Sequence, residues 1–290
     1  EPYRRQRQMC IRDRLLTENN FMKVGEDFEF KHTKKDNPDE RHPAYVDEYL
    51  GGQSTYYISP WIYETMSGLD LNVKNNPFVG ITDPRIPYYW VNQIKADEDA
   101  QNTTDYRHGA FVSIFFASNS SSAGNDQRST SSFIGIYPCG GKYDNGQGGK
   151  CDKNVGTGVA PEKMLQAYSV PFLLAELYLT GEVAGDAKAA LENGIKRSIT
   201  HVNTVSQNAK AEGVTVPTIT EDATTAFIGR ILAKYDAAAN NEEKLRIVMT
   251  QKWIANFFNP VEAYNDIRRT GYPTCLLYTS PSPRDRTRSR

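Results

Sequence analysis

The segment IVMTQKWIANFFNPVEAYNDIRRTGYP, residues Ile247–Pro273, contains two helix signals in direct succession. Four apolar residues around its start recur at the three-and-four spacing of a helix face: Leu245, Val248, Met249 and Trp253. That period predicts a helix from about Asn241 with these side chains in the core. Pro260 suits the first turn of a second, shorter helix, and Gly271 suits its end.

Three further helices are predicted upstream, between Pro161 and Ala238. The first, in EKMLQAYSVPFLLAELYLTG, has one apolar face and tolerates Pro171 if it begins only a few residues earlier, where amides lack helical partners. The second begins near Asp186 and carries small residues on one face: Ala187, Ala190 and Gly194. The short TGEVAG link joins these two into a hairpin of the tetratricopeptide type. The third begins at Thr220, whose side chain can cap it.

Residues 15–160 have a different composition. They are rich in Asn, Asp, Pro, Gly and Tyr, which predicts long loops joined by short elements. HGAFVSIFFASNSSS, from His108 onward, predicts one strand that runs into a polar loop. The expected fold class is therefore mainly α, with tetratricopeptide-type helix pairs in residues 161–274, long irregular loops before them and little β structure, all within one domain.

Both ends of the chain are rich in arginine and lack an apolar period. RRQRQMCIRD (Arg4–Asp13) and CLLYTSPSPRD (Cys275–Asp285) resemble translations of the two transposase-type sequencing adapters, one at each end and in the expected order. Such scars are set aside before the fold is considered. We therefore expect residues 1–14 and 275–290 to be adapter-derived and residues 15–274 to be a fragment of a longer protein. The tail from Cys275 is expected to pack against nothing.

The charge balance changes once those ends are set aside. They hold nine of the 34 basic residues and three of the 35 acidic ones, so the remainder has 25 basic and 32 acidic residues and a net charge of −7. A nucleic-acid partner, which requires a basic surface, is therefore not expected. No apolar run in the sequence has the length that crosses a membrane.

The sequence offers no motif for catalysis or metal binding. Four histidines are scattered along it: His32, His42, His108 and His201. They share no metal-ligand spacing, and no nucleophile lies at a recognisable distance from a base. DNGQGGKCD (Asp144–Asp152) lacks the alternating acids and the distal glutamate of a calcium loop. We therefore predict no catalytic residue, no metal and no cofactor.

Aromatic residues are concentrated in two short stretches of the loop-rich half. The first stretch holds Tyr56, Tyr57, Trp61 and Tyr63, and the second holds Tyr88, Tyr89 and Trp90. Rings presented from loops can stack on sugar faces, while the alternative is that they fill irregular packing between loops and helices. The residues predicted to contact a ligand are Trp61, Tyr88, Tyr89 and Trp90.

Cys139 and Cys151 flank a Gly-rich loop that lets the chain turn back on itself. In an oxidising compartment they are expected to form a disulfide that stabilises the loop by roughly 2–3 kcal/mol. In a cytosolic protein the same residues are two free thiols. The residues alone leave both alternatives open.

The segment Ile247–Pro273 closely resembles the signature near the C-terminus of the SusD/RagB family, nutrient-binding outer-membrane lipoproteins of Bacteroidota. Two other segments agree in order and spacing. One is the DPR loop, Asp83–Arg85. The other is PFLLAELYLTGEVAGDAKAALENGIKRSI, from Pro171, which is similar to a helix pair of the family. The resemblance covers residues 15–274.

This resemblance implies an exported protein that is lipidated on an N-terminal cysteine and held at the cell surface of the outer membrane. It implies a binding protein and not an enzyme, one that caps a TonB-dependent transporter of the SusC type and delivers oligosaccharide to it. The lipid-bearing cysteine is missing from the chain, as is the family's segment after GYP. Export also favours the disulfide between Cys139 and Cys151.

Two alternatives to glycan binding remain at this stage. One is a member of the same family that binds peptide. The other is a soluble helical-repeat adaptor that recruits a protein partner.

Arg268 and Arg269 lie at the end of the last predicted helix, where cations interact favourably with carbonyls and pair with acids, so both are expected to belong to the scaffold.

Overall fold

The computed structural model describes residues 14, 16–18, 20–51, 55–73, 75–100, 105–115 and 128–274. The two ends expected to be adapter-derived lie outside these ranges except for Arg14. The prediction that the tail from Cys275 packs against nothing therefore falls outside the described residues.

Helices dominate the described part of the chain, which confirms the predicted mainly α fold class. The helices are α1 (Pro43–Tyr45, continued by a π-helical turn, Val46–Leu50), α2 (Pro60–Ser67), α3 (Ile86–Tyr89), α4 (Ile136–Cys139), α5 (Ser169–Leu179), α6 (Ala187–Ala209), α7 (Glu221–Asp236), α8 (Asn241–Ala255) and α9 (Pro260–Thr270). The side chain of Asp186 caps α6 and that of Thr220 caps α7, at the two predicted starts.

The strands are short and pair in three antiparallel ribbons. They are β1 (Phe28–Phe30) with β6 (Glu162–Leu165), β2 (Trp90–Val91) with β5 (Phe133–Ile134), and β3 (Tyr106–His108) with β4 (Phe111–Ser113). The prediction of helix directly after Pro161 is wrong for residues 162–165, because they pair with β1 before the helix begins at Ser169. Pro171 consequently lies in the first turn of α5, where it costs no hydrogen bond.

Helices α5 and α6 form the predicted hairpin, and its closeness depends on a glycine. A Cβ added to Gly194 of α6 would stand 3.0 Å from the ring of Phe172 on α5. Phe172 and Ile195 are both fully buried at this contact. Helix α8 packs on α5, and α7 packs on α6, so the helices of the second half form one packed group.

The loop-rich half shares one apolar core with these helices, and Arg85 of the DPR loop lies inside it. Its Nε and Nη2 donate to the two carboxylate oxygens of Asp83, at 2.9 and 2.6 Å. Its Nη1 donates to Ser198 on α6, and its Nη2 also donates to Gln251 on α8, both at 2.9 Å. Because every guanidinium nitrogen is engaged, this buried charge ties the first half to both helices.

The arginine pair in the last turn of α9 divides between two scaffold roles. Arg269 contacts Glu176 of α5, and its Nη2 donates to Asp266 at 2.8 Å, which confirms the predicted pairing with acids. Asp266 also accepts from the buried ammonium of Lys252 at 2.9 Å. Arg268 lies over the ring of Tyr264 instead, 5.7 Å from its centroid.

Among the described helices, none is long and apolar enough to cross a bilayer.

Candidate functional site

A cavity of about 640 Å³ opens where the loop before α2, the start of α1 and the joint between α8 and α9 meet. Its volume falls in the range of small-molecule sites. The loop is held in place by the buried carboxylate of Glu48, which accepts hydrogen bonds from the backbone amides of Thr55 and Tyr56. The chain therefore builds one wall from a loop and the opposite wall from two helix ends.

The apolar surface of the cavity is aromatic. Its rings come from both walls: Tyr56 and Tyr57 on the loop, and Trp253, Phe257 and Phe258 at the end of α8. The Tyr56 and Phe258 rings are neighbours, tilted by 56° with their centroids 6.0 Å apart. Such rings offer large, rigid contact area to the C–H faces of a ligand.

Trp253 corrects one sequence-based prediction. It was expected in the buried seam of α8, together with Val248 and Met249, and these two are fully buried. Trp253 itself is only half-buried and lines the cavity. The reason is that the last turn of α8 passes the edge of the core, so its final ring packs against the core on one side and meets the cavity on the other.

The joint from Asn256 to Pro260 turns the chain sharply between α8 and α9. Asn256 is the C-cap of α8, and the side chain of Asn259 caps α9 ahead of Pro260. Between them Phe258 has φ = 65°, a conformation that is unfavourable for a bulky side chain and costs about 1–3 kcal/mol. This backbone conformation directs the Phe258 ring to the cavity wall.

Asn256 contributes the most distinctive polar group of the cavity. Its side chain is 99 % buried, since the residue is 1 % exposed, and neither Oδ1 nor Nδ2 has a hydrogen-bond partner among the described residues. Leaving a buried amide unsatisfied costs about 1–3 kcal/mol. The amide lies behind the cavity surface with no accessible area of its own, so a ligand reaches it only if neighbouring side chains move.

His42 and Glu162 form the charged corner. The Nδ1 of His42 accepts from the backbone amide of Ala44 at 3.1 Å, so the neutral ring carries its proton on Nε2. That nitrogen lies 3.1 Å from a carboxylate oxygen of Glu162, close but imperfectly aligned for a hydrogen bond. Burial lowers the pKa of His42, and the contact with His42 lowers the pKa of Glu162. The corner is therefore a neutral imidazole beside a carboxylate.

His32 lies beside this pair, and the possible ligand atoms of His32, His42 and Glu162 fall within 4.8 Å of one another. A metal at this cluster would need the lone pair of His42 Nε2. The hydrogen bond from Ala44 to Nδ1 places a proton on that nitrogen, so the tautomer does not suit a metal ligand. We assign no metal to this cluster.

The four residues predicted to contact a ligand are not brought together at the cavity. Tyr88, Tyr89 and Trp90 are 3 %, 0 % and 0 % exposed, so they leave no ring face for a ligand and belong to the core. Tyr89 stacks between Tyr137 and Phe257, with centroids at 5.1 and 4.8 Å. It thus supports a cavity ring from behind. Trp61 is half-buried on α2, where it packs against Phe115, and its contact with a ligand stays a prediction.

The predicted disulfide is also corrected, because Cys139 and Cys151 are both buried free thiols. The Sγ of Cys139 donates to the carbonyl of Gly135 within its own turn. Burial raises the pKa of Cys151 to about 12. The loop is held by other bonds instead, such as the one from the Cys151 amide to Gln93 at 2.7 Å.

The SusD-like family, described as Susd and RagB outer membrane lipoprotein, matches residues 78–287. The chain belongs to the SusD-like family. Its members are binding proteins and not enzymes. The match runs past Thr274 into the segment expected to be adapter-derived, and the adapter origin of that segment stays a prediction.

Solved SusD homologues share the fold of this chain. One from Bacteroides fragilis NCTC 9343 has a TM-score of 0.58 and 17 % identity, and it covers 88 % of this chain and 47 % of its own. One from Parabacteroides distasonis ATCC 8503 has a TM-score of 0.54 and 19 % identity, and it covers 87 % and 46 %. This SusD-like chain spans about half the length of these structures. No curated protein matches it.

Proposed function

We propose that this SusD-like chain binds an oligosaccharide in the cavity beside Trp253 and belongs to a cell-surface lipoprotein that feeds a SusC-type TonB-dependent transporter. The observation that carries the proposal is the aromatic wall of the cavity, whose rings are half-buried or exposed: Tyr56, Tyr57, Trp253, Phe257 and Phe258. A sugar has hydroxyl groups that both donate and accept, and C–H faces that lie flat on rings. Such a ligand can cover the rings with its C–H faces and donate a hydroxyl hydrogen bond to the partly exposed carboxylate of Glu162.

The rigidity of the wall strengthens this assignment. Asn256 is fixed by its place at the end of α8, where its backbone amide donates to Lys252, and Phe257 is fixed by stacking on Tyr89. Both groups are therefore held in place by core contacts before a ligand arrives. Preorganised groups lose little conformational entropy on binding, which raises affinity.

Attachment to the outer membrane and association with a transporter are proposed for this chain on the basis of its family. The family description supports the outer membrane and the lipid anchor. Delivery to a SusC-type partner follows from the role expected of such a lipoprotein. Co-purification of the full-length protein with a transporter from outer membranes would test this part separately from ligand binding.

Ligand binding is tested by calorimetry of the chain against panels of oligosaccharides and short peptides. We expect a glycan to bind, and Trp253→Ala to weaken its binding at least about tenfold, since the substitution removes ring contacts worth about 1.4 kcal/mol or more. Tyr264→Ala is the matched control, because this exposed ring does not line the cavity. Binding of peptides alone would overturn the sugar assignment, and binding of neither would overturn the site.

A further inference from the structure

We propose that the cavity selects its ligands by charge, so that it binds neutral and amino-bearing sugars and rejects uronates and sulfated sugars. This inference rests on the proposed glycan-binding function. It concerns a property that the aromatic wall does not determine, since the rings pack against the C–H faces of any sugar.

The first observation is the set of charged groups that line the cavity. Among the described lining residues, Glu162 is the single carboxylate, and neither lysine nor arginine is present. His42 is the single imidazole, and its buried ring is neutral. The surface presented to a ligand therefore carries one negative charge and no fixed positive charge.

The second observation concerns the cations that adjoin lining residues in sequence. Arg41, next to His42, pairs with Asp39 at 2.7 Å. Lys163, next to Glu162, is buried with its Nζ 4.2 Å from the centroid of the Tyr137 ring. The third, Lys252, adjoins Trp253 and pairs with Asp266 at 2.8 Å. Each of these cations is committed elsewhere, so none of them compensates an anionic ligand.

The consequence for a ligand follows from the sign of the remaining charge. A ligand carboxylate or sulfate would be desolvated beside Glu162 without a partner, and like charges at an interface are strongly unfavourable. An ammonium group gains instead, because it can donate to the carboxylate and lie over the electron-rich faces of the aromatic wall. The ring faces of Trp253 and Phe258 thus favour a cationic ligand group, as the carboxylate of Glu162 does.

The test uses a glycan array with neutral, amino, uronate and sulfated oligosaccharides, followed by calorimetry at low salt. The calorimetric probes are glucosamine oligomers and their N-acetylated forms of equal length, at a pH where the amines are charged. On the array we expect binding signal from the neutral and amino oligosaccharides and none from the uronate and sulfated ones. We expect Glu162→Gln to weaken binding of the amino oligomer at least about tenfold relative to binding of the acetylated oligomer, which corresponds to about 1.4 kcal/mol.

Glu212→Gln is the matched control, because it makes the same change in net charge at an exposed residue that does not line the cavity. It should leave the preference unchanged. Uronate or sulfated glycans that bind as well as neutral ones overturn the inference while the proposed function stands. A preference that Glu162→Gln leaves intact overturns it as well. Absence of binding to every glycan overturns the proposed function and this inference together.

Discussion

The Nη2 of Arg85 donates to the Oε1 of Gln251 at 2.9 Å, across 166 residues of chain. This bond joins the DPR loop to α8, the helix whose end forms one wall of the cavity. The guanidinium is fully buried, and its bonds to Asp83 and Ser198 complete its set of partners. The position of α8 relative to the loop-rich half is therefore determined by a charged group inside the core.

Arg85→Met is expected to destabilise the chain by about 3–5 kcal/mol, because it leaves the buried carboxylate of Asp83 without its partner. Urea denaturation followed by circular dichroism would measure the loss. The double variant with Asp83→Asn should recover part of it, since the orphaned charge is then absent. A double variant less stable than Arg85→Met would contradict this account.

Gly194→Ala is expected to be less stable than Gly229→Ala, although both replace glycine within a helix. Alanine favours a helix over glycine by about 1 kcal/mol. At Gly229 of α7 the added methyl meets open space, so that gain should appear in full. At Gly194 it meets the Phe172 ring at 3.0 Å, and crowding in a packed core offsets the gain. Thermal denaturation of the two variants gives the comparison, and equal melting temperatures would show that the helix hairpin is not closely packed.

Phe258→Gly is expected to be more stable than Phe258→Ala by about 1 kcal/mol, because only glycine adopts a positive φ without a steric penalty. Both variants remove the ring from the cavity wall, so both should weaken glycan binding similarly. Chemical denaturation together with calorimetry separates the two effects. A more stable alanine variant would show that the joint does not hold Phe258 in this conformation.

The free energy of unfolding is expected to rise between about pH 8 and pH 10.5 through Lys163. Burial lowers the pKa of this amine from 10.5 to about 8, so in this range the unfolded chain binds a proton that the folded chain does not. The full shift corresponds to about 3 kcal/mol. Buried tyrosines oppose this rise above about pH 10. Their pKa values are raised in the folded protein, so the unfolded chain loses these protons first and the free energy of unfolding falls.

Lys163→Met isolates this contribution, since the tyrosines are the same in both proteins. The variant should be more stable than the parent at pH 7, and the difference should shrink as the pH approaches 10. Stability measured by urea denaturation at several pH values provides the check. A difference that stays constant with pH would mean that Lys163 remains charged in the folded protein up to its ordinary pKa.

The helical half could be predicted from the sequence with good boundaries. Asp186, Thr220 and Pro260 mark helix starts through local chemistry, because caps and first-turn proline act within a few residues of the chain. The strand at residues 162–165 could not be predicted from the local sequence, because it forms only by pairing with β1, more than a hundred residues away. Periodicity in a short apolar segment does not distinguish a strand of this kind from a helix.

The candidate site was harder to predict, and the reason is physical. Tyr89 and Trp90 lie in loop-rich sequence but inside the core, because the hydrogen bonds of Arg85 to α6 and α8 hold the DPR loop against these helices. Asn256 and Phe257 lie in the segment Ile247–Pro273, whose pattern predicts two successive helices and gives no indication of a ligand site. The signal that could have found them is the pair of asparagines around two phenylalanines before Pro260, a composition that suits a joint with exposed rings better than a helix interior.

The joint from Asn256 to Pro260 has a consequence for how ligand preference can diversify. The same five residues end one helix, begin the next and form a wall of the cavity, so most substitutions there alter folding and recognition together. The facing residues Thr55–Ser59 precede α2 and belong to no helix or strand. Libraries aimed at a new glycan should therefore keep the joint and randomise the exposed side chains of that facing loop, where change is tolerated without loss of the scaffold.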